Sequence, residues 1–82
     1  MGRMPYVVIQ DRSGDPTGIW VLLTSGAWWA LDAIQAGTPP PTPVQICATW
    51  ADASQESRLY GGPKAGNRIL SARSAGVLPK PV

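Results

Sequence analysis

The sequence predicts a small α+β domain, a β-β-α-β unit with a Pro-rich connector and an extended basic C-terminal arm. Three observations predict it. Two stretches rich in β-branched and aromatic residues flank a cluster of turn formers, an apolar spacing of three with alanines between comes next, and a run of alternating polarity follows a string of prolines. With 82 residues the chain is expected to be one small domain over 1–82, its compact part spanning 5–60 and an irregular basic tail 61–82.

Tyr6-Val7-Val8-Ile9-Gln10 reads as a strand that ends at the turn cluster Asp11 to Gly18. Ile19 to Thr24 resumes the β character with apolar residues on both alternating sets, the pattern of a strand covered on two faces. Residues 6–24 are therefore expected to form a hairpin with a long polar tip. From Ser25 the period changes: Trp28, Leu31 and Ile34 recur every three residues, with Ala27, Ala30, Ala33 and Ala36 as helix-favouring filler. This spacing predicts a helix of about ten residues, capped by Ser25 and stopped by Gly37 and Pro39. On such a helix Trp28 and Trp29 stand about 100° apart, so one core contact cannot bury both, and one is expected to face a second surface.

Thr38 to Pro43 carries four prolines and reads as a stiff polyproline-type connector. Val44 to Trp50 then alternates, with Val44, Ile46, Ala48 and Trp50 on one side and Gln45, Cys47 and Thr49 on the other. That pattern predicts a half-buried strand with its apolar face inward. Asp52 and Gln55 resemble a capping pair, which predicts two helical turns over 53–60, ended by Gly61-Gly62-Pro63. Arg68 to Arg73 is either a last strand or a short helix, since so short a segment shows no decisive period. Beyond Ser74 the chain reads as an extended arm in which Pro79 and Pro81 exclude regular internal pairing.

Composition excludes several chemistries. The chain has no histidine and one cysteine, which rules out His-based triads, His-ligated zinc, an internal disulfide and an iron–sulfur site. Asp11, Ser13 and Asp15 have a calcium-loop spacing, but Pro16 stands where that loop needs glycine and Leu22 where it needs glutamate. Gly61 and Gly66 are spaced as in a phosphate loop, yet Asn67 and Arg68 replace the lysine and hydroxyl residue that would hold phosphate and magnesium. No spacing sets two carboxylates face to face, and Cys47 lacks a neighbouring base in the sequence. No enzyme activity, cofactor or metal is expected. Ile19 to Ala36 is mostly apolar but contains Thr24, Ser25, Asp32 and Gln35, so no membrane span is expected. The four apolar residues after Pro5 are too few for a signal peptide, and an intracellular or virion location is favoured, the compartment being otherwise unknown.

The net charge of +2 is unevenly spread. Residues 1–52 hold two basic against four acidic residues, whereas residues 53–82 hold five basic residues against Glu56 alone. At 15% charged residues with four Trp, the chain has more apolar surface than so short a polypeptide is expected to enclose. Aromatic and Arg residues are enriched in protein interfaces. The expected function is therefore a non-enzymatic structural or assembly subunit that binds other protein chains, as a homo-oligomer or in a larger assembly. Trp20, Trp28, Trp29 and Trp50 would divide between core and contact surface. The expected contact residues are Trp28, Trp29, Arg58 and Tyr60, with Lys64, Arg68, Arg73 and Lys80 along the basic third. Small virion components, capsid-decorating or head-tail proteins, share this general character, though no motif carries a resemblance. The alternative is a nucleic-acid-binding accessory module, in which the same basic residues meet phosphate and Tyr60 stacks on a base.

Overall fold

A computed structural model describes residues 5–12 and 18–77. The hairpin forms as the sequence predicts: β1 (Tyr6–Arg12) pairs antiparallel with β2 (Gly18–Leu22), Ile9 opposite Val21 and Gln10 opposite Trp20. The tip residues Ser13 and Asp15 lie outside the described residues.

The predicted ten-residue helix from Ser25 does not form. Leu23 N–H donates to Ala27 O at 2.9 Å and Gly26 N–H to Leu23 O at 3.0 Å, a reversal in which Gly26 adopts φ +88°. The chain therefore returns beside β2 as β3 (Trp28–Ala30), and only Leu31–Gln35 is helical, as α1. Ser25 caps no helix; its hydroxyl accepts from Ala27 N–H at 3.4 Å inside the turn. Strand geometry also resolves the paired tryptophans. Successive side chains in a strand point to opposite faces, so Trp28 packs with one core cluster and Trp29 with the other.

The strand predicted over Val44–Trp50 is likewise corrected. This segment touches the sheet only at single bridges, Val44 to Leu23 and Cys47 to Tyr6, filling the gap where β1 extends past its pairing with β2. Its polarity holds only at Val44, which packs against the core: Ile46, expected inward, is 39% exposed, Ala48 and Trp50 are exposed too, and Cys47 is buried at 4%. Trp50 is no strand residue but the first residue of α2 (Trp50–Leu59). The cap is Thr49, whose Oγ1 accepts from Asp52 N–H at 3.1 Å, rather than Asp52 itself. After Leu59, Gly62–Ala65 makes one 3-10 turn, and β4 (Asn67–Ser71) pairs antiparallel with β1.

The tail expected to be irregular from residue 61 thus supplies a strand. The sheet order is β3-β2-β1-β4, and the element order is β-β-β-α-α-β rather than β-β-α-β, within the same small α+β class. The arm expected beyond Ser74 is not extended as far as Val77. Ala72 and Ala75 are buried, Ala72 N–H donates to Pro5 O at 2.8 Å, and Gln35 Nε2 donates to Ala75 O at 3.0 Å. Residues 78–82, with Lys80, lie outside the described residues.

The sheet is covered on both faces. Val7, Ile9, Val21 and Leu23 meet α1 and the 72–77 turns on one side; Val8 and Leu22 meet Cys47 and Ala53 of α2 on the other. No helix among the described residues is long and apolar enough to cross a membrane.

Candidate functional site

The helix α2 positions the surface with most uncovered apolar area. At about 100° per residue, its buried positions Ala53 and Ser57 face the sheet, and the remaining residues divide around the axis. Trp50, Ser54 and Arg58 fall on the flank toward β4. Asp52 and Glu56 fall on the opposite flank, toward the 45–48 segment. Leu59 points outward between them and is 70% exposed, and Trp50 is 58% exposed.

A groove of about 500 Å³ runs between α2 and β4, with Trp50, Arg58, Pro63 and Ile69 along it and Arg68 at its rim. Arg68 does not offer a free charge there. Its side chain leaves the sheet on the face away from α2 and binds Asp11 Oδ2 at 3.0 Å, an exposed pair. The second recess, about 270 Å³, lies on the other flank, where Gln45, Cys47, Asp52 and Glu56 line it. Burial pushes the Cys47 thiol up from its ordinary value, the carboxylate of Glu56 adds to this, a hydrogen bond involving Gln45 opposes it, and Asp52 adds a smaller push. The thiol is thus held in its unreactive form. Among the described residues no group of three Cys, Asp or Glu side chains could hold a metal ion.

A polar chain pins α2 to the sheet beneath the groove. Arg12 Nε donates to Gln10 Oε1 at 2.7 Å, and Gln10 Nε2 donates to Asn67 Oδ1 at 3.0 Å. Asn67 Nδ2 then donates to Ser57 O and Tyr60 O, both at 3.1 Å. Asn67 is 4% exposed; it gives the Tyr60 carbonyl a donor and adds a second one at the Ser57 carbonyl, which also accepts from Tyr60 N–H at 3.2 Å. The same chain begins under a cation–π contact, with the Arg12 guanidinium 4.7 Å from the centroid of Trp20.

The outer edge of the sheet borders the same groove. Asp11 N–H donates to Gly66 O at 3.0 Å and Ala72 N–H to Pro5 O at 2.8 Å, which fixes the alternation of the β1–β4 ladder. Arg68 and Leu70 bond toward β1, so Asn67, Ile69 and Ser71 direct their backbone groups away from the sheet. Among the described residues nothing pairs with this edge beyond the turn bond from Ala75 N–H to Ser71 O, at 3.0 Å.

The expected contact residues are only partly brought together. Arg58 and Arg68 line the groove, and Lys64 sits in the 3-10 turn beside it. Tyr60 packs edge-on against Trp28, ring centroids 6.1 Å apart, and is 37% exposed. Trp28 and Trp29 are half-buried in the two core clusters, and the Trp29 indole N–H is buried, leaving it no donor to offer a partner. Arg73 lies on the turn after β4, away from the groove. Sequence reasoning missed Trp50 and Leu59 as surface residues because it placed Trp50 on the inward side of a strand. The signal that could have found them is Thr49-x-x-Asp52, a capping spacing that starts a helix at Trp50. Compared with known proteins, the chain matches no family, no curated protein and no solved structure.

Proposed function

We propose that this chain is a non-enzymatic structural subunit that binds other protein chains over the exposed side of α2 and the groove beside it. The observation that carries this reading is the set of large apolar side chains left uncovered on and beside α2: Trp50 at 58% exposed along the groove and Leu59 at 70% on the outward side, with Ile46 at 39% and Tyr60 at 37% next to the helix. Burying these side chains against a partner would recover free energy that exposure to water costs. A virion shell, with capsid-decorating or head-tail positions, is one assembly that uses such small subunits. The reading gives the lone thiol in the acidic recess no role, since burial and Glu56 favour its protonated form. The nucleic-acid reading finds less support, because Arg68 already holds Asp11 and Tyr60 is edge-packed on Trp28. A photoreactive residue in place of Leu59, introduced in the producing cell, tests the proposal. Adducts to protein are expected, and they should persist as salt is raised. Adducts only to nucleic acid, or none, would overturn it.

A further inference from the structure

We infer that the partner at the β4 edge is a second copy of this chain, joined by antiparallel β4–β4 pairing about a two-fold axis at Ile69. The inference rests on the subunit reading above and names one of its contacts. The backbone parity suits it: Asn67, Ile69 and Ser71 face outward, so the two Ile69 residues exchange a pair of hydrogen bonds and each Asn67 meets the second copy's Ser71. Neither Pro nor a positive-φ residue interrupts β4, and its one charged side chain, Arg68, is turned to Asp11 on the face away from α2, so the backbone edge stays open to pairing.

The helix layer fits the same axis. The two-fold stands normal to the sheet, so both copies of α2 lie on one face and run antiparallel. α2 packs over β1 and β4. With strands ~4.8 Å apart its axis lies about 5 Å from the two-fold, which sets the two helices about 10 Å apart, the spacing of packed helices. The flank that each presents is Trp50-Ser54-Arg58, one residue per turn. Reversed against itself, this series places small Ser54 at the axis and Arg58 over the second copy's exposed Trp50 ring. Charge is complementary there, a cation against the negative face of an indole, as Arg12 and Trp20 already do at 4.7 Å within the chain. The other cation near the axis, Arg68, is neutralised by Asp11. Trp50, at 58% exposed, brings on the order of 100–150 Å² per copy toward the ~800 Å² that a standard interface buries on each side.

Sedimentation equilibrium of the purified chain over a concentration series tests this. The expected mass is twice the 8.7 kDa of one chain at the upper concentrations, falling toward 8.7 kDa on dilution. Ser54→Arg sets two guanidinium groups together at the axis while leaving a good helix former at an outer position. It should weaken association by about 30-fold or more, with circular dichroism unchanged. Under mild oxidation Ser54→Cys should cross-link to itself faster than Ala51→Cys, which sits on the outward side of α2. A mass of 8.7 kDa throughout, or equal cross-linking at 51 and 54, would overturn the inference. Protein adducts from position 59 in the cell would in that case still stand, so the two failures are distinguishable.

Discussion

Replacing Asn67 by alanine removes the one side chain that, among the described residues, ties α2 to the sheet through hydrogen bonds. Its carboxamide makes three: one from Gln10 at 3.0 Å and two to the carbonyls of Ser57 and Tyr60 at 3.1 Å. Each is worth ~1 kcal/mol net, and a buried carbonyl left without a donor costs ~1–3 kcal/mol. Gln10 is half-buried and recovers water, and the Ser57 carbonyl keeps its bond from Tyr60 N–H at 3.2 Å, so the loss is that of the two bonds from Asn67 Nδ2, about 2 kcal/mol. Against a stability of roughly 4–12 kcal/mol for a chain of this length, that is a large fraction, and it lowers Tm by about 8–16 °C. Urea unfolding followed by Trp fluorescence, alongside a thermal melt, measures it. Asn67→Asp should be at least as damaging, because it keeps the Gln10 contact but turns a carboxylate toward two carbonyl oxygens. A loss under ~0.5 kcal/mol for Asn67→Ala, or an aspartate variant as stable as the parent, would refute the reasoning.

Thr49→Ala removes the hydroxyl that accepts from Asp52 N–H at 3.1 Å and should cost ~1 kcal/mol in urea unfolding, with helix content slightly reduced. Gly66→Ala should be more severe, about 2 kcal/mol or more, because Gly66 sits at φ +86° and an added Cβ would lie 2.7 Å from Asp11 O. Trp50→Ala should leave the stability of the dilute chain within ~0.5 kcal/mol, since so exposed a ring adds little to the fold. Cys47 should react with iodoacetamide more slowly than a free cysteine at pH 8.5, its rate rising with a midpoint above the ordinary thiol range. The raised pKa also fixes a sign: the stability gained by keeping the thiol neutral is complete below its ordinary pKa. It is lost as pH climbs through the raised value, so Cys47→Ser should flatten the alkaline decline.

The hairpin was legible because β1 and β2 are central strands, covered on both faces, and their residue choice and turn cluster agree with their place. Misreadings fell where tertiary contacts override local pattern. Trp28 to Ala30 has helical spacing, yet a reversal at Gly26 delivers it to the edge of β2, and pairing with Val21 and Leu22 outweighs propensity. Val44 to Trp50 alternates well, but β2 leaves only the first three residues of β1 free beside it, so it bridges at two points and then turns into α2. β4 is not legible in the sequence because five residues with mixed polarity show no period; its partner, β1, lies more than fifty residues away in sequence. The same distance hid the site. Arg58 and Arg68 were expected contact residues on charge alone, whereas Trp50, Leu59 and the β4 edge become a surface only after α2 docks.

The central claim is that α2 presents an indole to a neighbour rather than to solvent. Oxidative footprinting of the four tryptophans, read by mass spectrometry, tests it by comparing dilute chain with the assembled form recovered from the producing cell. In dilute chain Trp50 should oxidise first, being 58% exposed while Trp20, Trp28 and Trp29 are half-buried. In the assembly Trp50 should become as slow as the other three. Equal Trp50 reactivity in both samples would contradict the account.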